Sequence, residues 1–399
     1  MGTKNLNSAT DLITFTRASS STFLGSNGLI QTATNNTPRI EYSADGTVKG
    51  LLIEEARTNL VTTSSGWNTG ATNVSFGGYT TAPDGTNTGS LFITDATGNY
   101  STNLGTVTTS STNQFVTFSV FFKKELARYA TFKINKSAFD GRFWYDFDTG
   151  NTGFKTHPYL ENRTFSVENY PNGWKRMSIS FSSSNISGVF NLNVAPSNDE
   201  PYATYNRNIT GDGTQGVYFW GAQGELASFP TSYIPTSGST ATRAADVASI
   251  ATSVFGYNQG VGSLFIEADR IIKTTGGGTG IIANINNGGV ADEISIIDSN
   301  SLRGQLILDS TGGSNDVSIT VSGAEGNDFY AAGWKLNDTN IAHGGVLGTK
   351  DTSNIPIKTA TTLTLSSDFN NNAKFSGHIK SIKYYPRRLS DTQLQELTT

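Results

Sequence analysis

Few residues in this chain have types and spacing suited to chemistry. Glu267 and Asp269 stand two apart in FIEADRII (265–272), so that a strand aims both from one face. A pair of carboxylates is what glycoside hydrolysis requires. Asp146 and Asp148 share a face in WYDFDTG, and Asp84 and Asp212 sit in Gly-rich turns. These four are open to two readings: oxygen ligands for calcium, or carboxylates that close turns through their own backbone. His157, His343 and His378 lie far apart with no H-E-x-x-H, which gives zinc no site. Zero cysteines remove disulfides, thiolate metal sites and cysteine nucleophiles together. There is no G-x-S-x-G elbow. GDGTQG (211–216) matches G-x-G-x-x-G in form but precedes a strand, so no helix N-terminus follows to hold a phosphate.

Sugar binding asks for something else: an exposed aromatic face for the C–H surface of a ring, with amides or carboxylates beside it for the hydroxyls. Trp67, Tyr79, Trp144, Tyr145 and Tyr159 are the candidate ligand-binding residues. Trp144 and Tyr145 are adjacent, so a regular strand turns only one of them to solvent. Trp174 in NGWKRMSIS and Trp220 in VYFWGAQ sit within strand patterns and are expected in the core.

The elements that must position these residues read as strands. Charged residues make up 15% of the 399, against about 25% in a typical soluble domain. Gly, Ser, Thr and Asn dominate instead, a β-rich, turn-rich mix. With 23 Phe, 15 Tyr and 5 Trp the chain has apolar area enough to fold. In QFVTFSVFFKK, Val116, Phe118, Val120 and Phe122 recur at period two, and Phe115 and Phe121 load the other face. Turn clusters such as APDGTNTG (82–89), FDTGNTG (147–153) and ITGDGTQG (209–216) separate such runs. A second β-rich stretch begins near Gly260, and Ser390 with Gln393 forms an S-x-x-Q capping box for one short helix. The expected fold is all-β: two β-sandwiches, the first readable as a jelly roll, with a short C-terminal helix. Residues 1–60 are expected to pack on the first sandwich as an anchoring segment, 61–236 to form the jelly roll, 237–259 to be a linker open to proteolysis near Arg243, and 260–399 to form the second sandwich.

A net charge of −4, with no basic cluster larger than Lys123-Lys124 or Arg387-Arg388, excludes a nucleic-acid partner from expectation. No run approaches the roughly 18 apolar residues of a membrane span, and the first residues lack the apolar core of a signal peptide.

GDGTQGVYFWGAQGE followed by TSYIPTSGSTATRAADV resembles the end of a carbohydrate-binding-like jelly-roll module of tailed-phage virion proteins. FTRASSSTFLGSNGLIQTATNNTPRIEY, GLLIEEARTNL, WYDFDTG and YPNGWKRMSIS are similar to pieces of the same proteins in the same order. FSGHIKSIKYYPRRLSDTQLQEL resembles the closing segment of their laminin-G/concanavalin-A-like domain. The resemblance implies a head fibre, spike or tail fibre located on the virion, contacting other virion proteins and displayed for weak multivalent adhesion to host-surface polysaccharide. It also implies a homo-oligomer, a trimer, and leaves structural calcium as the one candidate cofactor. A purely structural fibre or capsid decoration is the alternative, and a polysaccharide depolymerase a further one. Against the depolymerase, the glycosidase pattern of the concanavalin-like fold requires another Glu after Asp269, where Ile271 and Ile272 stand, so no catalytic residue is expected. One departure from the family pattern is Gly224, where an apolar residue is expected. TRA occurs at 16–18 and 242–244, and LIEEAR (52–57) echoes FIEADR (265–270), as like-shaped strand ends would.

Overall fold

The computed structural model describes residues 12–69, 73–95, 102–136, 139–155, 160–183, 187–198, 212–271, 279–289, 292–299, 303–309, 317–322, 329–353, 359–368, 370 and 375–399. The period-two pattern of the strand Phe115–Lys124 explains the first sandwich. Val116, Phe118, Val120 and Phe122 are all buried in one core, with Met177, Ile179 and Phe181 from Trp174–Ser183 and Phe219 from Gly216–Glu225. These belong to a six-stranded antiparallel sheet ordered Leu160–Asn169, Trp174–Ser183, Phe115–Lys124, Gly216–Glu225, Gly89–Thr94, Val74–Thr80. It faces a five-stranded sheet ordered Thr152–Lys155, Phe139–Asp146, Tyr129–Lys136, Gly188–Ser197, Thr102–Thr109. Phe132, Ile134, Phe143, Leu192 and Val194 close the core from that side, each such burial contributing about 1.5–3 kcal/mol. Gly224 has its reason here: a Cβ would stand 2.6 Å from the Val107 side chain and 3.1 Å from Phe118. The space an apolar side chain would fill is already filled.

The second sandwich pairs two seven-stranded sheets. One is ordered Thr14–Thr16, Val247–Ala251, Thr362–Leu365, Thr279–Asn286, Glu293–Ser299, Arg303–Asp309, Val317–Ser322. The other is ordered Val346–Leu347, Asn340–His343, Phe329–Trp334, Gly262–Arg270, Gly377–Tyr385, Val48–Ile53, Arg39–Tyr42. Leu264 and Ile266 meet Ile282, Ile285, Ile294, Ile296, Leu306 and Leu308 between them. The helix Asp391–Leu397 carries the expected capping box, and its Leu394 is buried with Leu389, Ala331 and Ala342.

Two boundaries differ from expectation. The segment 237–259 is not a linker: Val247–Ala251 is an interior strand between Thr14–Thr16 and Thr362–Leu365. Nor do the described residues of 1–60 belong chiefly to the first sandwich, since Thr14–Thr16, Arg39–Tyr42 and Val48–Ile53 are strands of the second. The first sandwich is therefore inserted into the second. The chain enters it after Arg57–Asn59 and leaves it before Ala241–Arg243, and these two short strands pair antiparallel.

A buried ionic cluster fixes this junction. Arg17 meets Asp246 at 3.0 Å, Arg39 meets Glu54 at 2.8 Å and Asp246 at 2.5 Å, and Arg243 also binds Glu54. Ser232 donates its backbone N–H and its hydroxyl to Glu54 at 2.8 and 2.7 Å. The arginines of both TRA repeats and the first Glu of LIEEAR thus converge on one site. Burial disfavours every charge here, yet Arg39, touching both carboxylates, is raised above the ordinary guanidinium range. At Arg17 and Arg243 burial prevails and the pKa is lowered. For Glu54, burial is outweighed by Arg243 and Arg39, which hold it at about 2.

Candidate functional site

Strand Val74–Thr80 is the edge of the six-stranded sheet, and its Tyr79 is 40% exposed. The ring packs edge-on against Phe76, centroids 4.9 Å apart, and its hydroxyl donates to the carbonyl of Gly66 at 3.3 Å. That bond ties Tyr79 to the turn carrying Trp67. Trp67 is half-buried against the first core, 6.4 Å from Phe92 between ring centroids. Beside it opens a groove of about 300 Å³ whose lining includes Thr62, Thr63, Asn103 and Thr106. Gly105 in its wall has no room for a side chain, because a Cβ there would stand 2.3 Å from the buried Val61. Two expected aromatics are thus tied together at the edge of the six-stranded sheet, and the exposed Asn103 and Thr106 of the groove come from Thr102–Thr109, the edge strand of the five-stranded sheet.

The other expected residues lie elsewhere. Tyr145 is a core residue, 8% exposed and packed edge-on with Phe122 and Phe147, and so is no ligand platform. Trp144 faces the opposite way, its indole lying across its strand partner Gly153. Tyr159 lies outside the described residues. Asp84 accepts the backbone N–H and hydroxyl of Thr86 at 3.0 and 2.6 Å, and Asp212 does the same with Thr214 at 2.9 Å each. Asp146 pairs with Arg128 at 2.8 Å and accepts the N–H of Asp148; Arg128 holds its carboxyl down at about 2. Asp148 is 2.7 Å from Lys124. Among the described residues no three acidic or histidine side chains converge as metal ligands would. Glu267 is 3.5 Å from Lys380, and a register shift separates it from Ala268 and Asp269.

Sequence reasoning missed a larger feature. A cleft of about 500 Å³ lies between the sandwiches, lined from the first by Glu168, Tyr170 and Arg176 and from the second by Glu41, Lys49, Asp269 and His378. Lys49 reaches across to Glu168 at 3.0 Å, and His378 Nε2 is 2.7 Å from Glu41. Burial pushes the Glu41 carboxyl up, but His378 and Lys49 outweigh it and hold it below its ordinary value. For Lys49, burial is likewise outweighed, by Glu168 and Glu41, and its pKa is raised. No local pattern announces a site whose residues run from 41 to 378.

The strand pairing defines the class: an all-β protein of antiparallel sandwiches with one short helix. No protein-family model and no curated protein sequence matches the chain. Among solved structures it is similar to the CBM40 of Ruminococcus gnavus IT-sialidase bound to α2,3-sialyllactose, 14% identical, over 37% of this chain and 86% of that one, TM-score 0.31. It is similar to the leech intramolecular trans-sialidase at 16% identity, over 37% of this chain and 24% of that one, TM-score 0.29. Domains LG4-5 of the mouse laminin α1 chain are 10% identical over 88% of this chain and 95% of that one, TM-score 0.25. The architecture stands on the strand pairing and not on these likenesses.

Proposed function

We propose that the chain is a non-enzymatic virion protein of a tailed phage, a fibre, spike or head decoration, whose first sandwich holds host-surface polysaccharide weakly in the groove beside Trp67 and Tyr79. The observation that carries the binding role is the polar groove lined by Trp67, with the exposed Tyr79 ring bonded to the neighbouring Gly66. The virion role is supported by the family resemblance of the sequence. One sugar on one aromatic face is worth on the order of 1 kcal/mol, so single sites are weak and many copies, in trimers on one particle, supply the avidity. The isoleucines at 271 and 272, where a further catalytic Glu is needed, support the non-enzymatic reading.

The test is a glycan array and a host-cell pull-down with the oligomeric protein. Tyr79→Ala is expected to weaken single-site binding about fivefold while leaving the fold intact, since it removes about 1 kcal/mol of ring contact from an exposed edge. Absence of binding by the folded wild type to every host glycan and to whole cells would leave the purely structural role.

A further inference from the structure

The cleft between the sandwiches, at about 500 Å³, falls within the roughly 300–1,000 Å³ of small-molecule sites. Its charges are almost all paired within the protein. Lys49 serves Glu168 and, at 3.9 Å, Glu41; Arg270 is 3.2 Å from Asp298; Glu54 belongs to the buried cluster. Arg176, from the strand Trp174–Ser183, is the exception: among the described residues no carboxylate forms an ion pair with it. Its side chain is buried, at 7% exposure. One terminal nitrogen donates to Ser119 Oγ at 2.8 Å, its guanidinium carbon stands 5.3 Å from the centre of the Phe121 ring, and Nε has no hydrogen-bond partner. Its cross-strand partner Glu168 is engaged by Lys49 instead. A buried cation with no direct ion pair is costly, and a bound anion lowers that cost. Tyr170 lines the same cleft and packs edge-on against the same Phe121 ring, centroids 4.8 Å apart, and burial pushes its phenol well above the ordinary range, so it is a neutral donor on the wall that carries the guanidinium.

The rest of the lining narrows the ligand. Glu41 and Glu168 repel a compact dianion such as phosphate, but they accept hydrogen bonds from hydroxyls, as do Thr164, Ser166 and Ser178. We propose that this cleft binds a carboxylate-bearing sugar, its carboxylate on Arg176 and Tyr170 and its hydroxyls facing Glu41, Glu168 and the threonine and serine oxygens. A guanidinium edge matches a carboxylate in geometry as well as charge. The site goes beyond the Trp67 groove and recruits both sandwiches to one ligand.

Calorimetric titration of the whole chain with glucuronate, glucose and inorganic phosphate tests this. Glucuronate is expected to bind with a Kd on the order of 1 mM, and glucose and phosphate at least about tenfold more weakly. Arg176→Gln is expected to lose at least about tenfold of glucuronate affinity. Tyr170→Phe, which keeps the ring against Phe121, is expected to weaken binding without lowering the melting temperature, and it decides the matter if Arg176→Gln fails to fold. Trp67→Ala is expected to retain glucuronate binding, which separates this site from the first-sandwich groove. Wild type that ignores glucuronate, binds glucose equally, or binds phosphate as well as glucuronate overturns the proposal. So does unchanged affinity in both Tyr170→Phe and a folded Arg176→Gln.

Discussion

Glu54 keeps its charge out of water only because Arg39 and Arg243 flank it and Ser232 donates twice to it. Its carboxyl titrates at about 2 in the folded chain and near 4.3 when unfolded. A depressed folded pKa contributes stability that is fully present above the unfolded value and is lost as pH falls through the folded one. Unfolding free energy is therefore expected to decline between about pH 5 and 2. Glu54→Gln is expected to flatten that limb and to cost about 3–5 kcal/mol at neutral pH, because it leaves three buried guanidiniums facing Asp246 alone. Urea titrations at a series of pH values check both, and a loss under about 1 kcal/mol would mean that the cluster rearranges around the amide. At 224, where the sequence resemblance led to the expectation of an apolar residue, Val107 and Phe118 already occupy the volume and leave room only for glycine.

Strand pairing turns the segment after Pro235 from a tether into a structural part. The side chain of Arg243 is buried at 1% and bound to Glu54, and Ala241–Arg243 is paired with Arg57–Asn59. Trypsin under native conditions is expected to spare the bond after Arg243, and Glu54→Gln is expected to expose it. Rapid wild-type cleavage there, read by mass spectrometry, would contradict the pairing. The sequence misleads here for a physical reason. STATRAADVASIATS offers strands too short to show a period, built of small residues, and its polar Arg243 and Asp246 are spent on buried partners that lie more than 180 residues away. Where an element is long or local it was legible: Val116 to Phe122 alternate into one core, Phe121 on the other face packs with Trp174, Trp220 and Tyr233, and Ser390 with Gln393 caps the helix. Of the sugar-binding candidates, residue type pointed to Trp67 and Tyr79, but only the edge strand and the 64–67 turn bring them together. The cleft was invisible because its lining is assembled by sheets of both sandwiches.

At the scale of the whole molecule, the second sandwich is discontinuous in sequence. A fragment covering 260–399 lacks Thr14–Thr16, Val247–Ala251, Arg39–Tyr42 and Val48–Ile53, which leaves Leu363, Leu365 and Ile379 without covering strands. Such a fragment is expected to aggregate or to bind hydrophobic dyes. A chain in which 61–236 is replaced by a short Gly-Ser bridge is expected to melt cooperatively but at a lower temperature, since Arg57–Asn59 and Ala241–Arg243 already lie side by side while Glu54 loses the two bonds from Ser232. Cooperative melting of 260–399 alone, measured by circular dichroism, would refute the discontinuous reading. The insertion also orders events during synthesis. Leu51, Leu52 and Ile53 leave the ribosome more than three hundred residues ahead of Gly377–Tyr385, the strand that Val48–Ile53 pairs with. In that interval the inserted sandwich has every strand it needs, while the surrounding one waits with an apolar edge bare, so its last step is a slow, long-range closure. In a nascent chain, the place for a chaperone to hold is that early strand.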